Sequence, residues 1–131
     1  MSMSLETLLV VVNGAVAAVR EVVCAAGHPK AQQFHEDALV ALHYLGCAKQ
    51  GDMDVLRRVS PYWERFQARY AVDAFDDALM HAAFRAMCAM ESLSRRNYKW
   101  AEINAGLALD SVGLPHKCQP YSVGPSAQDR S

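Results

Sequence analysis

The chain lacks paired cysteines: Cys24, Cys47, Cys88 and Cys118 stand singly along 131 residues, and no CxxC occurs. A thioredoxin-like redox motif and a zinc knuckle are therefore unsupported. Three of the four lie on apolar segments of helical period, where a thiol acts as a small hydrophobe, so free cysteines in a reducing compartment are expected. Glycine is also sparse, seven residues scattered singly, which leaves no loop to cradle a phosphate. There is no Gly-x-Ser-x-Gly elbow and no cysteine in a recognised nucleophile setting, so the sequence predicts no enzyme. Charge of one sign is missing too. Thirteen basic residues face fourteen acidic ones, which gives no long-range field to attract a polyanion, and no basic recognition helix can be located. Nucleic acid is not an expected partner. The longest apolar run, Thr7 to Val19, has thirteen residues between Glu6 and the Arg20-Glu21 pair, with no basic region before it. That is short of the roughly 20 residues needed to cross a bilayer, so neither a signal nor a membrane segment is expected and the protein reads as cytoplasmic.

What is present is apolar residues, 52% of the chain, with a helical period. That amount suits one compact domain, expected over 1-115. Phe75, Leu79, Ala82, Ala86, Met90 and Leu93 recur at steps of three and four, with Met80, Phe84 and Met87 alongside. Such a wide arc predicts a central helix with neighbours on two sides. Asp73, Asp76 and Asp77 at its start and Arg95 and Arg96 at its end match the helix dipole. After Asn97, a second stripe of Trp100, Ile103, Leu107 and Leu114 stops at Gly113 and Pro115, completing a helical hairpin.

Earlier segments repeat the theme. Ser4 can cap a first helix with Leu5, Leu8, Leu9, Val12, Val16, Val19 and Val23 buried, ended by Gly27. His28-Pro29 opens a second, with Phe34, Ala38, Ala41, Leu42, Leu45 and Ala48 inward, and Gly51-Asp52 turns the chain. Ser60-Pro61 divides the next stretch into a short helix and a longer one. Residues 116-131 carry proline, glycine and polar residues without a period and read as a flexible tail. The fold class expected is all-α, about five helices in antiparallel hairpins, as a bundle or a short stack.

Ala89, Ala101 and Ala108 fall where tetratricopeptide repeats place small residues, and Tyr98 falls where they favour a turn aromatic. On these residues the central hairpin resembles that family of roughly 34-residue helix-turn-helix units. Arg85 departs from its usual aromatic, Arg96 stands in place of the turn glycine, and Pro115 comes about two residues late. The resemblance covers about a third of the chain and implies a groove for a peptide or helix of a partner, as in small chaperones and adaptors. It assigns no functional residue.

Two candidate sites follow from the residues themselves. Tyr62, Trp63, Phe66 and Tyr70 form an aromatic ladder with Arg65 and Arg69 beside it, the residue types that dominate protein interfaces. Trp63 and Phe66 are assigned to the core, and Tyr62, Arg65, Arg69 and Tyr70 to partner binding. The alternative is a metal- or small-molecule-binding bundle. His43 with Cys47, and His81 with Cys88 on the helix that Asp77 begins, share faces that could meet as a mixed His/Cys site between helices. The Glu-x-x-His pattern of di-iron bundles is absent, and no cofactor is assigned. The function expected is non-catalytic protein binding, as in a chaperone, adaptor or immunity-type protein, and the apolar first helix offers a face for self-association.

Overall fold

A computed structural model of the protein describes residues 3–114. Among these residues there are six helices and no strand: α1 (Leu5–Ala25), α2 (Ala31–Lys49), α3 (Asp54–Arg58), α4 (Ser60–Ala71), α5 (Ala78–Ser94) and α6 (Tyr98–Ser111). The all-α expectation holds. Six helices agree with about five expected, and the short α3 and longer α4 meet at Ser60-Pro61 as the sequence predicts. The tail expected at 116-131 lies outside the described residues.

Helix α5 is the centre of the bundle, packing against α1, α4 and α6 and touching α3. Its buried line, Met80, Ala82, Ala83, Ala86, Met87, Ala89, Met90 and Leu93, is the wide arc expected from spacing. Helix α1 packs on α2, α5 and α6, so the first and last helices lie together. Leu8, Leu9, Val12, Ala15, Val16, Val19 and Val23 of α1 are buried, and the larger of them each contribute roughly 1.5–3 kcal/mol by leaving water. Ser4 caps the helix by accepting from the Thr7 amide. Helix α1 is longer than the thirteen-residue run from Thr7 to Val19 suggests: it continues through Arg20 and Glu21 to 21 residues and, by length and composition alone, could cross a membrane. In the bundle its apolar face is covered by other helices instead.

Two other expectations are overturned. Phe75 belongs to no helix and is fully exposed at 101%, because Asp77 adopts extended backbone and caps α5 by accepting from the amides of Leu79 and Met80. Periodicity extends a pattern past a cap that it does not sense. In α6 the expected stripe is on the rim: Trp100 is exposed, Ile103, Leu107 and Leu114 are half-buried, and the inward face is Ala101, Ala105, Gly106 and Ala108 with Glu102 and Asn104. Small residues let α6 approach α1 and α5 closely, which pushes its larger side chains to the edges.

The ends of α2, α5 and α6 share one device. Gly51, Arg96 and Gly113 each have positive φ, and the next residue's amide reaches back to the carbonyls of Cys47, Ser92 and Leu109 respectively. These are Schellman closures, normally built on glycine. Arg96, at φ 62, takes the glycine's place and its conformation.

Candidate functional site

Helix α4 divides its aromatic residues between two faces. Trp63 is fully buried and Phe66 nearly so, with edge-to-face contacts from Tyr44 to Trp63 at 6.0 Å and from Trp63 to Phe66 at 5.7 Å. These interlocked rings fix the helix against α2. On the outer side Tyr62 is 41% exposed and lies parallel to Phe66, with ring centroids 6.2 Å apart. The Arg65 guanidinium lies 5.4 Å from the Tyr62 ring centre and that of Arg69 lies 4.9 Å from the Phe66 ring centre. Two turns of helix thus carry alternating cations and rings, held together by i,i+3 spacing and attraction to the ring faces.

The four residues expected to bind a partner do not share one environment. Tyr62 and Arg65 are on the surface. Arg69 is half-buried and pairs with Asp37, while its carbonyl accepts from Lys30 Nζ at 3.3 Å. Tyr70 is corrected from surface to core: it is fully buried, edge-to-face with Phe34 at 5.4 Å, and its hydroxyl donates to Asp37 Oδ2 at 2.6 Å. The step of four from Phe66 to Tyr70 follows the buried side of α4, whereas Tyr62 begins the helix where its flank opens to water. Burial, the bond to Asp37 and that carboxylate's charge together push the Tyr70 phenol well above its usual range.

Asp37 escaped the sequence reading. It lies three residues after Phe34 and one before Ala38, so the same spacing that marks the α2 core marks Asp37 as inward. Its carboxylate ties α2 to two residues of α4. Further links clamp the start of α2 to the chain after α4: Lys30 Nζ donates to Asp73 Oδ2 at 2.7 Å, and His28 Nε2 donates to Asp77 Oδ2 at 2.7 Å. Because His28 Nδ1 accepts the Lys30 amide, this ring donates from Nε2 as the neutral tautomer.

The His/Cys alternative does not converge. His43 is exposed on α2, 4.0 Å from Cys47 Sγ and against the Tyr44 ring. His81 instead donates from Nδ1 to Ser111 Oγ at 2.6 Å, and its Nε2 accepts from Arg85 Nε at 3.4 Å. Cys88 Sγ donates to Gln67 Oε1 at 2.8 Å, and burial pushes its thiol up to about 12, far from the thiolate that a metal needs. Among the described residues no three His, Cys, Asp or Glu side chains are grouped to hold a metal ion. The His81–Ser111 contact also differs from a nucleophile and its base. Ser111 already donates its proton to the Leu107 carbonyl at 2.9 Å, and the remaining lone pair of His81 faces Arg85.

A small pocket of about 190 Å³ lies at the far end of the bundle, between the α2–α3 turn and the α5–α6 turn. It is lined by Met53, Arg57, Leu93, Arg96 and Tyr98 together with Asp52 and Asp54. This is below the few hundred Å³ of a small-molecule site, and suits one inserted side chain. Comparison with known proteins finds no family model, no curated protein and no solved structure that matches this chain.

Proposed function

We propose that the protein is a non-catalytic, cytoplasmic binding module that grips another polypeptide through the outer face of α4, as a chaperone, adaptor or immunity-type protein does. The observation that carries this reading is the alternation of Arg65, Tyr62, Phe66 and Arg69 on a half-open helix face. Arginine and tyrosine contribute disproportionately at interfaces, and here stacking already restrains their long side chains, which lowers the entropy lost on binding. Helix α4 itself is clamped to α2 through Asp37, so the face is presented on a rigid support. The close helix packing at Ala89, Ala101 and Ala108, all fully buried, supports a tetratricopeptide-like hairpin as the scaffold.

Crosslinking in the native cell, with wild type and a Tyr62→Ala/Arg65→Ala variant compared by mass spectrometry, tests the proposal. A protein captured by the wild type and lost with the variant supports it. Equal capture by both, or none by either, removes α4 as the binding face.

A further inference from the structure

The two ends of α5 carry exposed surfaces of opposite character. At its start, the 72–77 loop presents Val72, 82% exposed, and Phe75, which nothing in the fold covers. Asp76 beside them is exposed and has no partner among the described residues. The loop is held in place by its other carboxylates, Asp73 on Lys30 and Asp77 on His28, so Phe75 is displayed from an anchored backbone.

At the other end, the α5–α6 turn presents Tyr98, 38% exposed, at the pocket it lines with Met53, Leu93 and Arg96. Arg95 is neutralised by Glu64 and Glu91, and Arg57 by Asp54. Arg96 and Lys99 have no carboxylate partner among the described residues, against Asp52 alone on the acidic side. The unpaired Arg96 therefore lies at a pocket walled by Tyr98, with Lys99 next to Tyr98 in the chain, while the unpaired Asp76 accompanies an uncovered aromatic side chain.

We propose that the chain self-associates head to tail, with Phe75 of one copy seated in the pocket beside Tyr98 of the next and Asp76 facing Arg96 and Lys99. This surface is separate from the α4 face, and the two stand or fall independently. The 17 residues of α5 set the two patches about 25 Å apart at opposite ends of the bundle. A contact of that kind is heterologous, so it builds an open row instead of closing as a two-fold dimer. Its area is that of two loops, which makes the association weak and dependent on concentration. Its charge component fades as salt shortens the reach of exposed charges to about 8 Å or less.

Sedimentation velocity on the full chain at low salt, from about 10 μM to about 1 mM, reads the result. The average mass is expected to rise without a plateau at the dimer, and to fall on adding salt. Phe75→Ser/Asp76→Lys removes the head, and Arg96→Gly/Lys99→Glu removes the tail. Each variant is expected to weaken self-association at least about tenfold. All the altered positions lie outside the helix interiors or on the surface, and circular dichroism melts confirm that both variants fold. Mixing the two discriminates further, because one keeps an intact head and the other an intact tail, so together they form a discrete dimer and stop. A wild type that stays monomeric throughout overturns the proposal. So does assembly that persists in both variants, or a mixture that assembles no better than its parts.

Discussion

Tyr70 and Asp37 meet in the bundle interior, phenol to carboxylate at 2.6 Å, while Arg69 holds the other carboxylate oxygen. Asp37 is only 3% exposed, so it depends on these two donors and on the weaker one from Gln33 Nε2 at 3.4 Å. Tyr70→Phe leaves one oxygen of a buried anion without a donor and is expected to cost about 1–3 kcal/mol in urea unfolding at neutral pH. The same pair sets an alkaline limit. Tyr70 is held above its ordinary 10.0, so above pH 10 the unfolded chain releases a proton that the folded chain keeps, and stability falls as pH rises. Melting temperatures at alkaline pH are expected to fall less steeply in Tyr70→Phe.

A second pH effect belongs to His81, whose imidazole is held below 6.5 by burial and then by the positive charge of Arg85. Below pH 6.5 the unfolded ring takes a proton that the folded ring refuses, so stability drops as pH falls from there toward the lowered value. His81→Gln is expected to flatten the melting curve across that window. Asp77 works in a separate one. Its carboxyl is pulled below 3.8 chiefly by the His28 bond, so its contribution is present above 3.8 and is lost only as pH falls further.

Arg96 holds a left-handed conformation that costs a residue with a Cβ on the order of 1 kcal/mol. Arg96→Gly alone is therefore expected to raise stability by about that amount, read as a higher urea midpoint with an unchanged slope. The departure is visible in the sequence, where an arginine stands at the turn that Gly51 and Gly113 occupy in the other two closures.

Most of the bundle is legible in the same way. The buried residues of α1 follow their spacing, the Ser60-Pro61 pair marks the start of α4, and the wide arc of α5 predicts its central place. The failures share one cause: periodicity reports a face, not where the helix starts or how close its neighbour comes. Phe75 keeps step with α5 but precedes its cap, and Trp100 keeps step with α6 while the alanines form the contact. The candidate site was half legible. Tyr62 and Arg65 are exposed, as side chains that reach a partner must be, whereas Tyr70 turns inward because of a carboxylate on α2, and no local pattern in α4 announces a partner so distant in sequence.

For the α4 face, Tyr62→Ala and Arg65→Ala are each expected to weaken partner binding by about 2 kcal/mol, some thirtyfold, in titration calorimetry with the captured protein. Both side chains are exposed, so stability is expected to shift by no more than about 0.5 kcal/mol. A large loss of melting temperature in either variant instead assigns them to the fold.

The cysteines provide a reagent-based check on packing. Cys24 is exposed, whereas Cys88 is largely buried, bonded to Gln67 and raised to about 12. Alkylation at neutral pH followed by peptide mapping is expected to modify Cys24 well before Cys88, with Cys88 reacting only after unfolding. Gln67→Ala removes the acceptor and the side chain lying against the thiol, and is expected to speed Cys88 alkylation relative to the wild type.

The contact of α1 with both α5 and α6 has a consequence for synthesis. Of the six described helices the oiliest is made first, yet two of the three that cover it are made last. Until Ala78 to Ser94 has emerged, the valines of α1 have only α2 to lie against, and their contact with α6 forms last. While α3, α4 and α5 are being made, the greasy face of α1 therefore waits for company, a period in which a ribosome-bound holdase would find its handle.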